Sequence, residues 1–144
     1  MIIEEEKFKQ KIIDEINELL ENNNVKWKAM NEDNNDFMTS IKYSYKPNPK
    51  RNETKTIAFG YRVCCFGYSP RIIVYDYAYK NGATESTEMP SVEIYDNGID
   101  NSPIFEILQK IEEKINVDTQ EKDGRLLDKL TWYLNNKKKR IDAR

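Results

Sequence analysis

The stretch IAFGYRVCCFGYSPRIIVYDYAY, Ile57 to Tyr79, decides the fold class of this chain. Apolar and aromatic side chains recur at every second position on both sides of a turn signal, Gly67-Tyr68-Ser69-Pro70. A period of two places successive side chains on opposite faces of a strand. Ile57, Phe59, Tyr61, Val63 and Cys65 then share one face, and Ala58, Gly60, Arg62, Cys64 and Phe66 the other. Beyond the turn, Ile73, Tyr75, Tyr77 and Tyr79 oppose Ile72, Val74, Asp76 and Ala78. Folding the hairpin about Ser69 sets Phe59, Tyr61 and Val63 against Tyr79, Tyr77 and Tyr75, and Arg62 against Asp76. Aromatic pairs and opposite charges are favoured across strands, so this register is the expected one.

Two further strands precede the hairpin. Val25, Trp27 and Ala29 alternate with Lys26 and Lys28, and Phe37, Thr39, Ile41, Tyr43 and Tyr45 alternate again after the polar turn Asn31 to Asp36. Lys46 to Asn52, with two prolines and two asparagines, is a loop. After the hairpin comes a long acidic connection from Asn81-Gly82 to Met89. Val92, Ile94 and Tyr95 follow as a fifth, edge-like strand opened by Pro90 and closed by Asp96-Asn97-Gly98.

Helices flank the strands. Phe8, Ile12, Ile16, Leu19 and Leu20 form one stripe of a 3.6-residue period, with Glu4, Glu5 and Glu6 at the favourable end of the dipole and the Asn22 to Asn24 run at its close. Ser102-Pro103 combines a capping hydroxyl with proline at the first helical position, and Ile104, Leu108, Ile111 and Ile115 continue that helix. Asp118 with Glu121 has the form of a capping box, so Leu127, Leu130 and Leu134 are read as a separate last helix running into Lys137-Lys138-Lys139-Arg140. The expected architecture is α+β: an N-terminal helix, an antiparallel meander of about five strands and two C-terminal helices. It forms one domain over residues 1–144, with 137–144 as a basic tail.

Composition bounds the function. The 144 residues include no histidine, the commonest general base and metal ligand near neutral pH. No Gly-x-Ser-x-Gly elbow, glycine-rich phosphate loop or Cys-x-x-Cys pair is present. No catalytic residue, metal site or cofactor is therefore expected. A net charge of −2 is unlike the strongly basic character of duplex binders. No apolar run approaches the roughly 18 residues that span a bilayer, and the acidic start is unlike a secretion signal. A cytoplasmic protein is the expectation. Cys64 and Cys65, adjacent on a strand, point to opposite faces and are read as two packed, reduced thiols.

The remaining candidates are binding residues. Arg62 and Asp76 are read first as a structural pair and second as a binding pair. Tyr43, Tyr45 and Tyr77, among nine tyrosines, fit a sheet face that packs beneath helices, anchors a protein or stacks a nucleobase. The small-residue face with Gly60, Cys64, Val74 and Ala78 needs a cover, which its own helices, a second copy or a partner would provide. Glu85, Glu88, Glu93 and Asp96 form an acidic stretch able to occupy a basic groove on another protein, while Lys42 to Lys55 and the tail are basic. The Asn-, Lys- and Ile-rich composition is that of AT-rich genomes, low-GC bacteria and their phages. It gives the chain the general look of small phage-encoded inhibitors of host defence and of toxin-immunity proteins, without a motif to carry it. The expected function is non-enzymatic: a cytoplasmic inhibitor that occludes a protein partner. A small-ligand or nucleotide-sequestering protein using the tyrosine-rich face comes second, and a nucleic-acid binder third.

Overall fold

The computed structural model describes residues 1–30, 35–77 and 90–142, with side chains through Lys137. By contacts the chain divides into two compact units, Met1–Glu112 and Glu113–Arg144. The first holds the helix α1 (Glu6–Glu21) and the strands β1 (Lys28–Ala29), β2 (Asp36–Tyr45), β3 (Lys55–Phe66), β4 (Ser69–Asp76) and β5 (Ser91–Tyr95). A single helix, α2 (Pro103–Asp142), starts in the first unit and supplies the second.

The five strands form one antiparallel sheet in the order β1-β2-β3-β4-β5, a meander as expected. Its hairpin register differs from the sequence's expectation. Phe66 pairs with Ser69, Val63 with Ile72, Arg62 with Ile73 and Phe59 with Asp76. The turn is the two-residue Gly67-Tyr68, with Gly67 at φ 65° and Tyr68 at negative φ. Positive φ at the first central position alone is the sign pattern of a type II′ turn, whose twist suits a hairpin. The pairing thus slips three residues from the one centred on Ser69. An odd slip exchanges the faces of a strand, so Arg62 and Asp76 lie on opposite faces, contrary to expectation.

The slip decides which residues form the core. Trp27, Phe37, Thr39, Tyr61, Val63, Ile72 and Ile94 share one face by register, and all are buried. Ile13, Ile16 and Leu19 of α1 and Ile104, Ile107, Leu108 and Ile111 of α2 are the buried helical stripes that close it. The pKa of the Tyr61 hydroxyl is raised first by burial and then by Glu15, so α1 lies on the side of this face. Each leucine-sized side chain so buried contributes roughly 1.5–3 kcal/mol. The α1 stripe is rotated from the expected one: Phe8 is 44% exposed and Ile13 takes its place inward.

One expectation gains a detail and another needs correction. β5 is the outer strand of the sheet, as expected, with a single bridge on its free side among the described residues. Ile2 bridges Glu93 in parallel, with Ile3 N donating to Glu93 O and Glu93 N to Met1 O, both at 2.8 Å. At the other end of the chain, α2 does not break at Asp118. Gln120, Glu121, Lys122, Arg125 and Leu126 in this stretch are strong helix formers, and one interior glycine, Gly124, costs a helix only about 1 kcal/mol. The start of α2 is as expected: the Ser102 hydroxyl accepts a hydrogen bond from Phe105 N at 3.0 Å.

Candidate interaction surface

The face of the sheet turned away from α1 holds the polar chemistry. Asp36, Met38, Gly60, Arg62, Cys64, Phe66, Arg71, Ile73, Tyr75, Glu93 and Tyr95 share it by register. Arg62 stands near its centre. Its Nε donates to Asp36 Oδ1 at 2.8 Å and its Nη2 to Asp36 Oδ2 at 2.6 Å, a fork-on-fork pair. The acid is 4% exposed and the guanidinium 28%. The Asp36 hydrogen bonds raise the Arg62 pKa further above its ordinary value; burial opposes this and a hydrogen bond with Tyr75 adds to it. The cation is permanent and held in place.

A second ion pair lies beside the first. Arg71 Nη1 donates to Glu93 Oε1 at 2.8 Å, and Arg71 Nε is buried without a hydrogen-bond partner. Both guanidinium carbons approach the Phe66 ring, at 5.7 Å for Arg62 and 5.3 Å for Arg71. Each cation is balanced by its own carboxylate, so the ring can accept both. Phe66 is 50% exposed. Cys64 is fully buried in the midst of these four charges, and its thiol is pushed up to about 12, first by burial and then by Asp36. Cys65, on the helix side, is likewise buried and free, as the sequence implied.

Tyr77 extends the surface. A Cβ on Gly60 would meet Tyr77 Cζ at 2.5 Å and Met38 Cε at 2.9 Å, so the ring lies directly on the glycine. The Tyr77 hydroxyl donates to Met38 Sδ at 3.4 Å. Glycine is needed here for close approach. The expected small-residue face is not a single face: Val74 lies opposite Tyr61 on the helix side, while Gly60 is covered by Tyr77 and Met38.

The expected site residues separate. Arg62, Tyr77 and Glu93 come together on the open face, and Tyr75 joins them. By register, Tyr43 and Tyr45 lie on the other face, where their rings stack at 5.9 Å. Asp76 is on that face too, opposite Phe59. The tyrosines therefore do not form one stacking platform. Asp96 is a joint between elements: its N donates to Pro70 O, its O accepts from the Ser69 hydroxyl and its Oδ2 from Ser102. Glu85 and Glu88 lie outside the described residues, as do Ala78 and Tyr79.

Sequence reasoning missed Asp36, placed in a turn, and Met38, Phe66 and Arg71. The alternation Asp36, Met38 against Phe37, Thr39 did carry the signal that β2 begins at Asp36. Among the described residues, no group of histidines, cysteines or acids is arranged to hold a metal, and no helix is long and apolar enough to cross a membrane. No protein-family model, no curated protein and no solved structure matches the chain.

Proposed function

We propose that this is a non-enzymatic binding protein that occludes a protein partner, with the open sheet face as its contact surface. The observation that carries this reading is the make-up of that face. Met38, Arg62, Phe66, Arg71, Tyr75 and Tyr77 are the residue types enriched where protein interfaces gain most of their energy. They are also pre-organised: Arg62 by Asp36 and Tyr75, and Tyr77 by Gly60 and Met38. Groups already held in place lose little entropy on binding. An inhibitor of phage or low-GC bacterial origin, of the anti-defence or immunity type and acting in the cytoplasm, is the biological setting we propose for such a surface. A nucleotide-sequestering role has less support, since Tyr43 and Tyr45 are on the opposite face from Tyr77.

The test is a titration of this protein against the activity of a partner isolated with it from a bacterial lysate. A sharp end point at a fixed molar ratio is expected, together with its loss in Phe66→Glu and its retention in Tyr43→Glu. Full inhibition at trace amounts would mean turnover and overturn the reading. A thermal shift with a nucleotide panel, with no partner bound, would favour the small-ligand reading instead.

A further inference from the structure

The second unit leaves an apolar stripe uncovered. Leu126, Leu127, Leu130, Tyr133 and Leu134 of α2 are between 47% and 64% exposed. At 100° per residue they fall within an arc of about 120° on the helix surface. That is the width of a face that packs against another helix.

We propose that this stripe pairs with the same stripe of a second copy, antiparallel, about a two-fold axis through Leu130. The inference is independent of the sheet-face reading. The charge order along the helix selects both the occupant and its direction. From Glu112 to Asp128 the sequence has six acids and three bases, whereas from Lys129 to Arg140 it has five bases and no acid. Antiparallel pairing lays each cationic half on the acidic half of the other chain. On the stripe itself, the apolar residues are bounded by Asp123 on one side and Lys137 on the other, both exposed. Each is seven residues from Leu130. A two-fold axis there sets Asp123 of one copy beside Lys137 of the other, twice, and Leu126 beside Leu134, twice. Such an interface is self-complementary and closes at two copies. Parallel pairing would put Lys137 against Lys137 and the basic ends together, which like charges oppose.

The test is sedimentation equilibrium of the full chain from low micromolar to near-millimolar concentration. The mass is expected to rise from 17.1 kDa to twice that value and stop there. Leu130→Glu should hold the chain at the monomer mass while its circular dichroism stays that of the folded protein, because Leu130 is exposed. Asp123→Lys should weaken association several-fold, since it creates two repulsive pairs with Lys137. The exchange Asp123→Lys with Lys137→Asp should restore it. A monomer at every concentration, growth beyond two copies, a dimer indifferent to Leu130→Glu, or one indifferent to Asp123→Lys would each overturn the proposal.

Discussion

Removing the Asp36 carboxylate strands the Arg62 guanidinium against a buried thiol and an aromatic ring. Breaking a buried ion pair from one side costs about 3–5 kcal/mol, and the partial exposure of Arg62 places Asp36→Ala toward the lower end of that range. A chemical-denaturation midpoint unchanged in Asp36→Ala would show that the pair contributes nothing to the fold. Arg62 is visible in the sequence as a lone cation in an apolar strand, but its partner is Asp36 on β2 rather than Asp76 on β4. Asp76 follows an apolar run, Ile72, Ile73 and Val74, in which every residue fits either face. That run gave no parity signal, and the aromatic rows satisfied a register three residues away. Nearby, the thiol of Cys64 sets a pH dependence. The folded thiol titrates at about 12 and an ordinary one near 9.0. Between these values the unfolded chain has released a proton that the folded chain retains, so stability falls as pH rises. The slope is at most about 1.4 kcal/mol per pH unit for one thiol. Below that window the contribution of Cys64 is constant. Tyr61 and Tyr77, also raised by burial, act in the same direction at higher pH. Denaturation of Cys64→Ala across the alkaline range is expected to show a shallower decline, and an identical decline would clear the thiol.

Among the elements, helices were legible in number of turns and illegible in their breaks and their rotation. The α1 segment contains apolar residues on more than one side, Phe8, Ile12, Ile13, Ile16, Leu19 and Leu20. Only docking decides that Ile13 and Ile16 go inward while Phe8 stays out. Accordingly, Ile16→Ala is expected to cost about 2–5 kcal/mol, the range for truncation in a packed core, and Phe8→Ala far less. Equal shifts in the melting temperature of the two variants would restore the stripe read from the sequence. In α2, the Asp118–Glu121 spacing imitates a cap, yet helix continues through it and through Gly124. An added Cβ at Gly124 meets nothing within 4 Å. Gly124→Ala should therefore raise helix stability by about 1 kcal/mol, seen as a higher melting temperature. A fall would mean the backbone there is not helical.

At the scale of the molecule, association with a basic partner would be steered by summed charge rather than by single contacts. Of the acidic stretch, Glu93 is tied to Arg71 and Asp96 to Ser102. Reversing either disturbs the fold as well as the field. Glu85→Lys with Glu88→Lys reverses the other two charges of the stretch. It should slow association while leaving dissociation nearly unchanged, and the wild-type association rate should fall as salt shortens the Debye length to about 8 Å at physiological strength. An association rate indifferent to both would remove steering from the mechanism. Fold class and strand order were available from periodicity because burial imposes it on every strand. The make-up of the polar sheet face was not, since it depends on a parity that one tight turn sets.

Cys64 and Cys65 occupy neighbouring positions on β3 and are both sealed, one within the charged face and one beneath the helices. A thiol reagent reaches either one only during a transient local opening, so the rate of capture counts how often that opening happens. Successive residues of a strand look to opposite sides. The two sulfurs are therefore a pair of native clocks, one peptide bond apart, each timing the breathing of a different side of the sheet. Once a partner is in hand, whichever clock slows in its presence names the side that it has closed, with no label added to the chain.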